Sequence, residues 1–294
     1  MGRVSEHVFI AGPASWNRIV VLDRLPEPVP HMQFALEEYE TVGATSAGKA
    51  LGLVGLGRRV RLHALFGADD DGARVKRLLA QAGVALIAGD GGVTERHVNL
   101  MTRAGERVSL FLSTPADPGE GSDAELDAEL RHTMADASAL ILDLSELSRR
   151  LIPAAKASGR PIWTDIHDYD GESGFHRPFI EAADAIFMNA DRIGDDPLPF
   201  MRSCIEGGAS LVVCTLGADG AVALDERMTR HDVAAVPTTV RDTNGAGDAF
   251  MAGVLDATLA GSGLDEALEA GARHAASVLV TRHLHPSLDA LLGA

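Results

Sequence analysis

The string Asp242-Thr243-Asn244-Gly245-Ala246-Gly247-Asp248-Ala249-Phe250 joins a carboxylate to a glycine-flanked turn. Phe250 meets Val254, and Leu255 meets Leu259, at i to i+4 spacing, so the turn runs straight into a helix. Gly245 and Gly247 leave backbone N–H groups unshielded, and the donors of a first helical turn have no partner inside the helix. An anion placed there also meets the positive end of the helix dipole. Asp248 stands at the same helix start, within reach of a group beside that anion. A base next to a cradle of N–H donors suits transfer of a phosphoryl group to a hydroxyl, which needs a proton acceptor and fixed donors for charged oxygens. Gly-x-Gly alone would mark only a turn with a capping aspartate; the whole string points to chemistry.

Other polar segments say less by themselves. Asp165-Ile166-His167-Asp168-Tyr169-Asp170 is the densest acid and histidine cluster, yet its spacing puts no ligand set on one helical face. A solvated loop is the favoured reading, with Asp165 kept as a site candidate. Thr215-Leu216-Gly217-Ala218-Asp219-Gly220 ends an apolar run and reads as a hairpin. Lys49 is expected to be a solvated helix lysine, its alternative role being to meet an acidic group on a ligand. Cys204 and Cys214 match no C-x-x-C pattern and are expected to be buried thiols in a reducing compartment.

The elements that must position these residues alternate along the chain. Strands are expected at 7–11, 60–66, 139–144, 161–166, 185–188 and 211–216. Helices are expected at 46–56, 72–82, 123–134, 147–157, 198–206, 249–260 and 264–280. That alternation, with few aromatic residues, predicts an α/β fold with a mostly parallel sheet covered on both faces. Two stretches break the rhythm: Met32, Phe34 and Leu36 alternate, as do Val98 with Leu100 and Val108, Leu110 with Leu112 around a turn at Ala104–Gly105. They predict a small β appendage, placed as a lid if it covers the carboxyl ends of the main strands. Asp plus Glu outnumber Lys plus Arg by 42 to 26, for a net charge of −16, which disfavours nucleic acid as a partner. No apolar run is long enough to span a membrane, and Met1 to Ile10 holds no signal core, so a cytoplasmic location is expected.

The string around Asp248 resembles the C-terminal signature of the ribokinase, or PfkB, family of carbohydrate kinases. Four further segments follow in the family's order: Val8–Gly12 with Leu22–Pro26, Gly43–Ala50, Phe66–Gly72 and Thr215–Gly220. The resemblance implies a ribokinase-like three-layer sandwich, one unit over 1–294, with a β lid from about 13–42 and 94–114. It implies ATP and Mg2+, a sugar or sugar-like acceptor, and a homodimer through the lid as in some relatives. By this likeness Asp248 is the base and Gly245, Ala246 and Gly247 are the N–H donors. Asn189, Thr215, Gly217, Gly220, Thr243 and His274 border the nucleotide. Ser15, Asn17, Gly43, Ala44 and Gly48 join Asp248 around the acceptor. Asp242 and Asn244 align with monovalent-cation ligands of some relatives, which raises K+ as a further cofactor.

Departures from the pattern bear on specificity. Ser15 and Asn17 stand for an Asn and an Asp that hold sugar hydroxyls, Ala44 for a Gly, Gly48 for a substrate Asn, and Arg192 for the Glu of an Asn-x-x-Glu element. Such exchanges redirect acceptor choice, because unpaired buried polar groups penalise the wrong ligand. Two alternatives remain: a nucleoside kinase with Phe34, Trp16 or Tyr39 stacking on a base, and a regulatory homologue with weak catalysis. A dinucleotide-binding dehydrogenase is set aside, since no Gly-x-Gly-x-x-Gly follows the first strand.

Overall fold

Val8 and Ile10 pack with one helix layer, while Phe9 and Ala11 between them pack with the other. This alternation in β1 (His7–Ala11) is the plan of the molecule: a strand apolar on both faces must be covered on both. The computed structural model describes residues 7–194 and 196–293, so the first six residues of the segment read for a signal lie outside the described residues.

The remaining elements, in chain order, are β2 (Ser15–Leu22), β3 (Glu37–Gly43), α1 (Thr45–Gly55), β4 (Arg59–Phe66), α2 (Asp70–Gln81), β5 (Ala85–Asp90), β6 (Glu95–Thr102), β7 (Arg107–Ser113), α3 (Ala124–Asp136), β8 (Ala139–Leu142), α4 (Glu146–Ser158), β9 (Ile162–Asp165), α5 (Arg177–Ile180), β10 (Ala185–Asn189), α6 (Leu198–Glu206), β11 (Leu211–Thr215), β12 (Ala221–Asp225), β13 (Arg230–Val233), α7 (Ala246–Leu259), α8 (Leu264–Leu279) and α9 (Pro286–Leu292). The large sheet has nine strands in the order β13-β12-β11-β10-β9-β8-β1-β4-β5. It is parallel from β5 to β11, and β12 and β13 add an antiparallel edge. Helices α1, α2, α7, α8 and α9 supply one core, and α3, α4, α5 and α6 the other.

A separate four-stranded sheet has the order β3-β2-β6-β7. Its composition corrects the pattern reading in two places. Met32 and Phe34 are in irregular chain and 91% and 86% exposed, so their alternation reflects no strand; β3 starts only at Glu37. In β6 the buried positions are Glu95, His97, Asn99, Met101 and Thr102, whereas Val98 and Leu100 are only partly covered. The polar face turns inward because it borders a cavity rather than a dry core. In β7, Val108, Leu110 and Leu112 are exposed. Among the described residues no helix is long and apolar enough to cross a membrane. Cys204 and Cys214 are free and buried, and burial pushes their thiols up to about 12 and about 11.

Candidate active site

Gly245 caps α7 in the left-handed region at φ 78°, and a Cβ there would come within 2.9 Å of the Leu284 carbonyl oxygen. Glycine is therefore the residue that fits both the turn and the close backbone approach. No side chain caps this helix, and a Cβ at Gly247 would meet nothing within 4 Å, so the turn borders open space at Gly247, while Ala246 N donates to Thr243 O at 3.4 Å. One position on, Asp248 turns its carboxylate to α1. Its Oδ1 accepts from Thr45 Oγ1 at 2.5 Å and from Lys49 Nζ at 2.8 Å. Its Oδ2 lies over Gly48, where a Cβ would sit 2.6 Å away.

Lys49 is fully buried, contrary to the solvated role expected of it. Its ammonium pairs with Asp143 Oδ1 at 3.0 Å, Asp165 Oδ2 at 3.3 Å and Asp248 Oδ1 at 2.8 Å, and also donates to Thr45 Oγ1. Burial works against its charge, but the three carboxylates outweigh that penalty and hold the ammonium above its ordinary pKa. Burial pushes Asp143 up, opposed by Lys49 and by the Ser46 hydroxyl, which donates to Asp143 Oδ2 at 2.6 Å. Burial also acts against ionisation of Asp165, yet His167 and Lys49 bring its pKa below the usual carboxylate value. Asp143 and Asp165 lie at the carboxyl ends of neighbouring strands, β8 and β9, where open α/β sheets place ligands.

Beside this cluster is a cavity of about 480 Å³. The turn after β1, residues 44–45, the loop after β8 and His167 close one side, and Glu95, His97 and Phe111 of the small sheet close the other. Ala44 lines it with φ 73°, a strained value for a residue with a Cβ. Ser15 and Asn17 are buried in β2, where Ser15 Oγ donates to Asn17 Oδ1 at 2.7 Å, and the Asn17 amide lies over Gly43. The aromatic rings at the cavity are Phe111 and Phe175. Trp16 is instead buried with the Arg74 guanidinium 5.7 Å from its ring, Tyr39 bonds to Asp242, and Phe34 is exposed.

Asn189 and Thr215 are paired neighbours at the ends of β10 and β11. A 3-10 turn, Gly217–Asp219, follows, and Gly220 begins the return into β12. Thr243 O accepts from Ala246 N at the start of α7. The structure places the half-buried His274 ring against Gly52 of α1 and Gly253 of α7, with the His285 ring 6.2 Å away. Arg192 is exposed and lies 3.9 Å from Asp170. Among the described residues no three His, Cys, Asp or Glu side chains form a group fit to hold a metal ion.

Residues 36–289 match the pfkB family carbohydrate kinase profile. This chain belongs to the pfkB family of carbohydrate kinases. As a member it is a kinase that uses ATP on a sugar-like small molecule. It is 30% identical over 275 residues to acarbose 7(IV)-phosphotransferase of Actinoplanes sp., covering 92% of this chain and 91% of that protein. It is 28% identical over 217 residues to fructoselysine 6-kinase of Escherichia coli, covering 72% and 80%. The microbiome-derived acarbose kinase Mak1 superposes with a TM-score of 0.82 at 28% identity, over 98% of this chain and 99% of that one. Arabidopsis thaliana ribokinase complexed with ribose and ATP shares the fold, with a TM-score of 0.77 at 19% identity over 95% and 94%. The ribokinase-like class read from the string around Asp248 is thus the class of the fold.

Two polar residues at this pfkB site, Thr45 and Asp143, were not singled out by pattern, and Lys49 was read as solvated rather than buried. Asp143 carried a usable signal, a carboxylate directly after a fully apolar strand.

Proposed function

We propose that this kinase transfers the γ-phosphoryl group of ATP to a hydroxyl of an acceptor seated in the 480 Å³ cavity, with Asp248 as the base. The observation that carries this reading is the divided carboxylate. Thr45 and Lys49 fix Oδ1, while Oδ2 takes no hydrogen bond among the described residues and is left for the acceptor. Asp248 draws the hydroxyl proton as the acceptor oxygen bonds to the γ-phosphorus and the bond to the ADP oxygen breaks. The N–H groups of Gly245, Ala246 and Gly247 receive the transferring oxygens, aided by the helix dipole. Asn189, Thr215, Gly217, Gly220, Thr243 and His274 are assigned to the nucleotide side. Ser15, Asn17, Gly43, Ala44 and Gly48 are assigned to the acceptor side.

The small sheet, formed by segments within 13–42 and 94–114, acts as a lid that excludes water from the acceptor. Its exposed row Val108, Leu110 and Leu112 supports a homodimer joined through two such sheets; sedimentation of L110E beside the unaltered protein tests it. Magnesium held by the nucleotide's own phosphates fits a site without a three-ligand protein cluster, and would neutralise charge on those phosphates. Acarbose and fructoselysine enter the acceptor panel because relatives are named for them.

The test is ADP release with ATP and magnesium against sugars, sugar acids, sugar phosphates, nucleosides and those two compounds, with D248N as control. Release with one acceptor class, lost by roughly 10²–10⁴-fold in D248N with nucleotide KM nearly unchanged, is expected. Near-normal turnover in D248N would reject the role of Asp248.

A further inference from the structure

If Asp242 and Asn244 held a monovalent cation through their side chains, the oxygens of those side chains would have to face it. Both residues are instead engaged by the protein. Asp242 Oδ1 accepts from the backbone N–H of Asn244 at 2.7 Å, and Asp242 Oδ2 lies 2.9 Å from the Tyr39 hydroxyl. Asn244 Oδ1 accepts from Arg107 Nη1 at 2.6 Å, and its amide donates to Met101 Sδ at 3.0 Å.

The Tyr39 hydroxyl also lies 2.8 Å from the carbonyl oxygen of Arg282. One O–H therefore bridges a carboxylate oxygen and a carbonyl oxygen from stretches of chain 40 residues apart, the kind of bridge a small cation makes. Burial and the neighbouring Asp242 push the phenol far above its ordinary pKa, so the bridging proton is retained.

The charges around the bridge are equally unsuited to a free cation. Arg103, Arg241 and Arg282 border a 250 Å³ cavity beside Asp242, whose acidic residues are Asp242 and Glu37. Glu37 is taken by Arg282 at 2.6 Å, and the Arg282 guanidinium lies 4.4 Å over the Tyr39 ring. An incoming cation would face three guanidinium groups with both carboxylates already paired.

We propose that in this chain the Tyr39 hydroxyl, with Arg107 and Arg282, replaces the monovalent cation, ties the turn before α7 to β3 and β7, and makes turnover independent of potassium. The proposal rests on the reading that this turn leads into the phosphoryl cradle. Tyr39 and Arg107 are positioning residues: they hold the turn from the small sheet and touch neither acceptor nor nucleotide.

The test compares the unaltered protein with Y39F and R107Q in tetramethylammonium chloride and in potassium chloride at equal ionic strength. Melting temperature and ADP release are both read. The unaltered protein is expected to show the same melting temperature and the same kcat, within about twofold, in either salt. Y39F loses roughly fivefold to tenfold in kcat in tetramethylammonium, as does R107Q. Potassium restores part of the Y39F loss and raises its melting temperature, because the bridged oxygens are then free. Potassium raising the melting temperature and kcat of the unaltered protein overturns the proposal. So does Y39F behaving as the unaltered protein in both measurements. The melting arm needs no acceptor, so it separates failure of this inference from failure of the kinase assignment.

Discussion

The Lys49 ammonium lies 2.8 Å from Oδ1 of Asp248, inside a site where no part of the lysine meets solvent. A fully buried cation with three carboxylates within 3.3 Å thus holds Oδ1 of Asp248 in place.

Removing that cation leaves the carboxylates buried and unpaired. K49M is expected to cost about 3–5 kcal/mol of stability, read as a lower denaturant midpoint. Its effect on kcat is read below the melting transition and again in a D248N background. If Lys49 acts through Asp248, K49M adds little to the loss already present in D248N. Full multiplication of the two losses would show that Lys49 supports only the fold.

Gly48 leaves room for the Asp248 carboxylate. A methyl there would sit 2.6 Å from Asp248 Oδ2, so the base must move. Alanine is the better helix former by about 1 kcal/mol in an interior turn. G48A is nevertheless expected to lower kcat by about 10²-fold, and to lower the melting temperature as well, because displacing Asp248 disturbs its bonds to Thr45 and Lys49 by more than the helix gains. Unchanged turnover would remove Oδ2 from the chemistry.

Ala44 carries the opposite signature. Its φ of 73° and ψ of 152° lie where a Cβ is strained, so A44G relieves about 1 kcal/mol. The melting temperature should rise by about 2–4 °C. A fall would mean that the Ala44 methyl packs well enough to offset the strain.

Acid sensitivity is set in part by His285. Burial and the neighbouring His274 push it down to about 4, against an ordinary 6.5. The unfolded chain then binds the proton more readily than the folded one between those values. Stability contributed by neutral His285 is present above pH 6.5 and is lost as pH falls to about 4. The full loss is about 3 kcal/mol by this linkage. H285N keeps a capping acceptor for α9 and should flatten the slope of urea stability across that window. An unchanged slope would assign the acid limb to other buried groups, such as His63.

The inner strands of the large sheet were legible because they are buried on both faces and read as apolar runs; β1 spans the five residues its run suggests, whereas the edge strand β5, with alternating burial, was not read. The edge hairpin was not, since β13 has four residues and alternates partly buried with exposed positions. The small sheet misled where its inward face is polar, as at His97 and Asn99. The turn carrying Asp248 was visible because its residues are contiguous. The surroundings of Lys49 were not, because its three partners come from β8, β9 and α7, and only the folded chain brings them together.

The buried cluster also constrains how this site can change over generations. Losing Lys49 alone strands three acids, and losing an acid alone alters the balance around a cation that cannot escape to water. Lys49 and Asp143 are therefore mutually entrenched. A lineage that abandons one must replace the other at nearly the same time, whereas Phe111, exposed at the cavity wall, can change without stranding a buried charge.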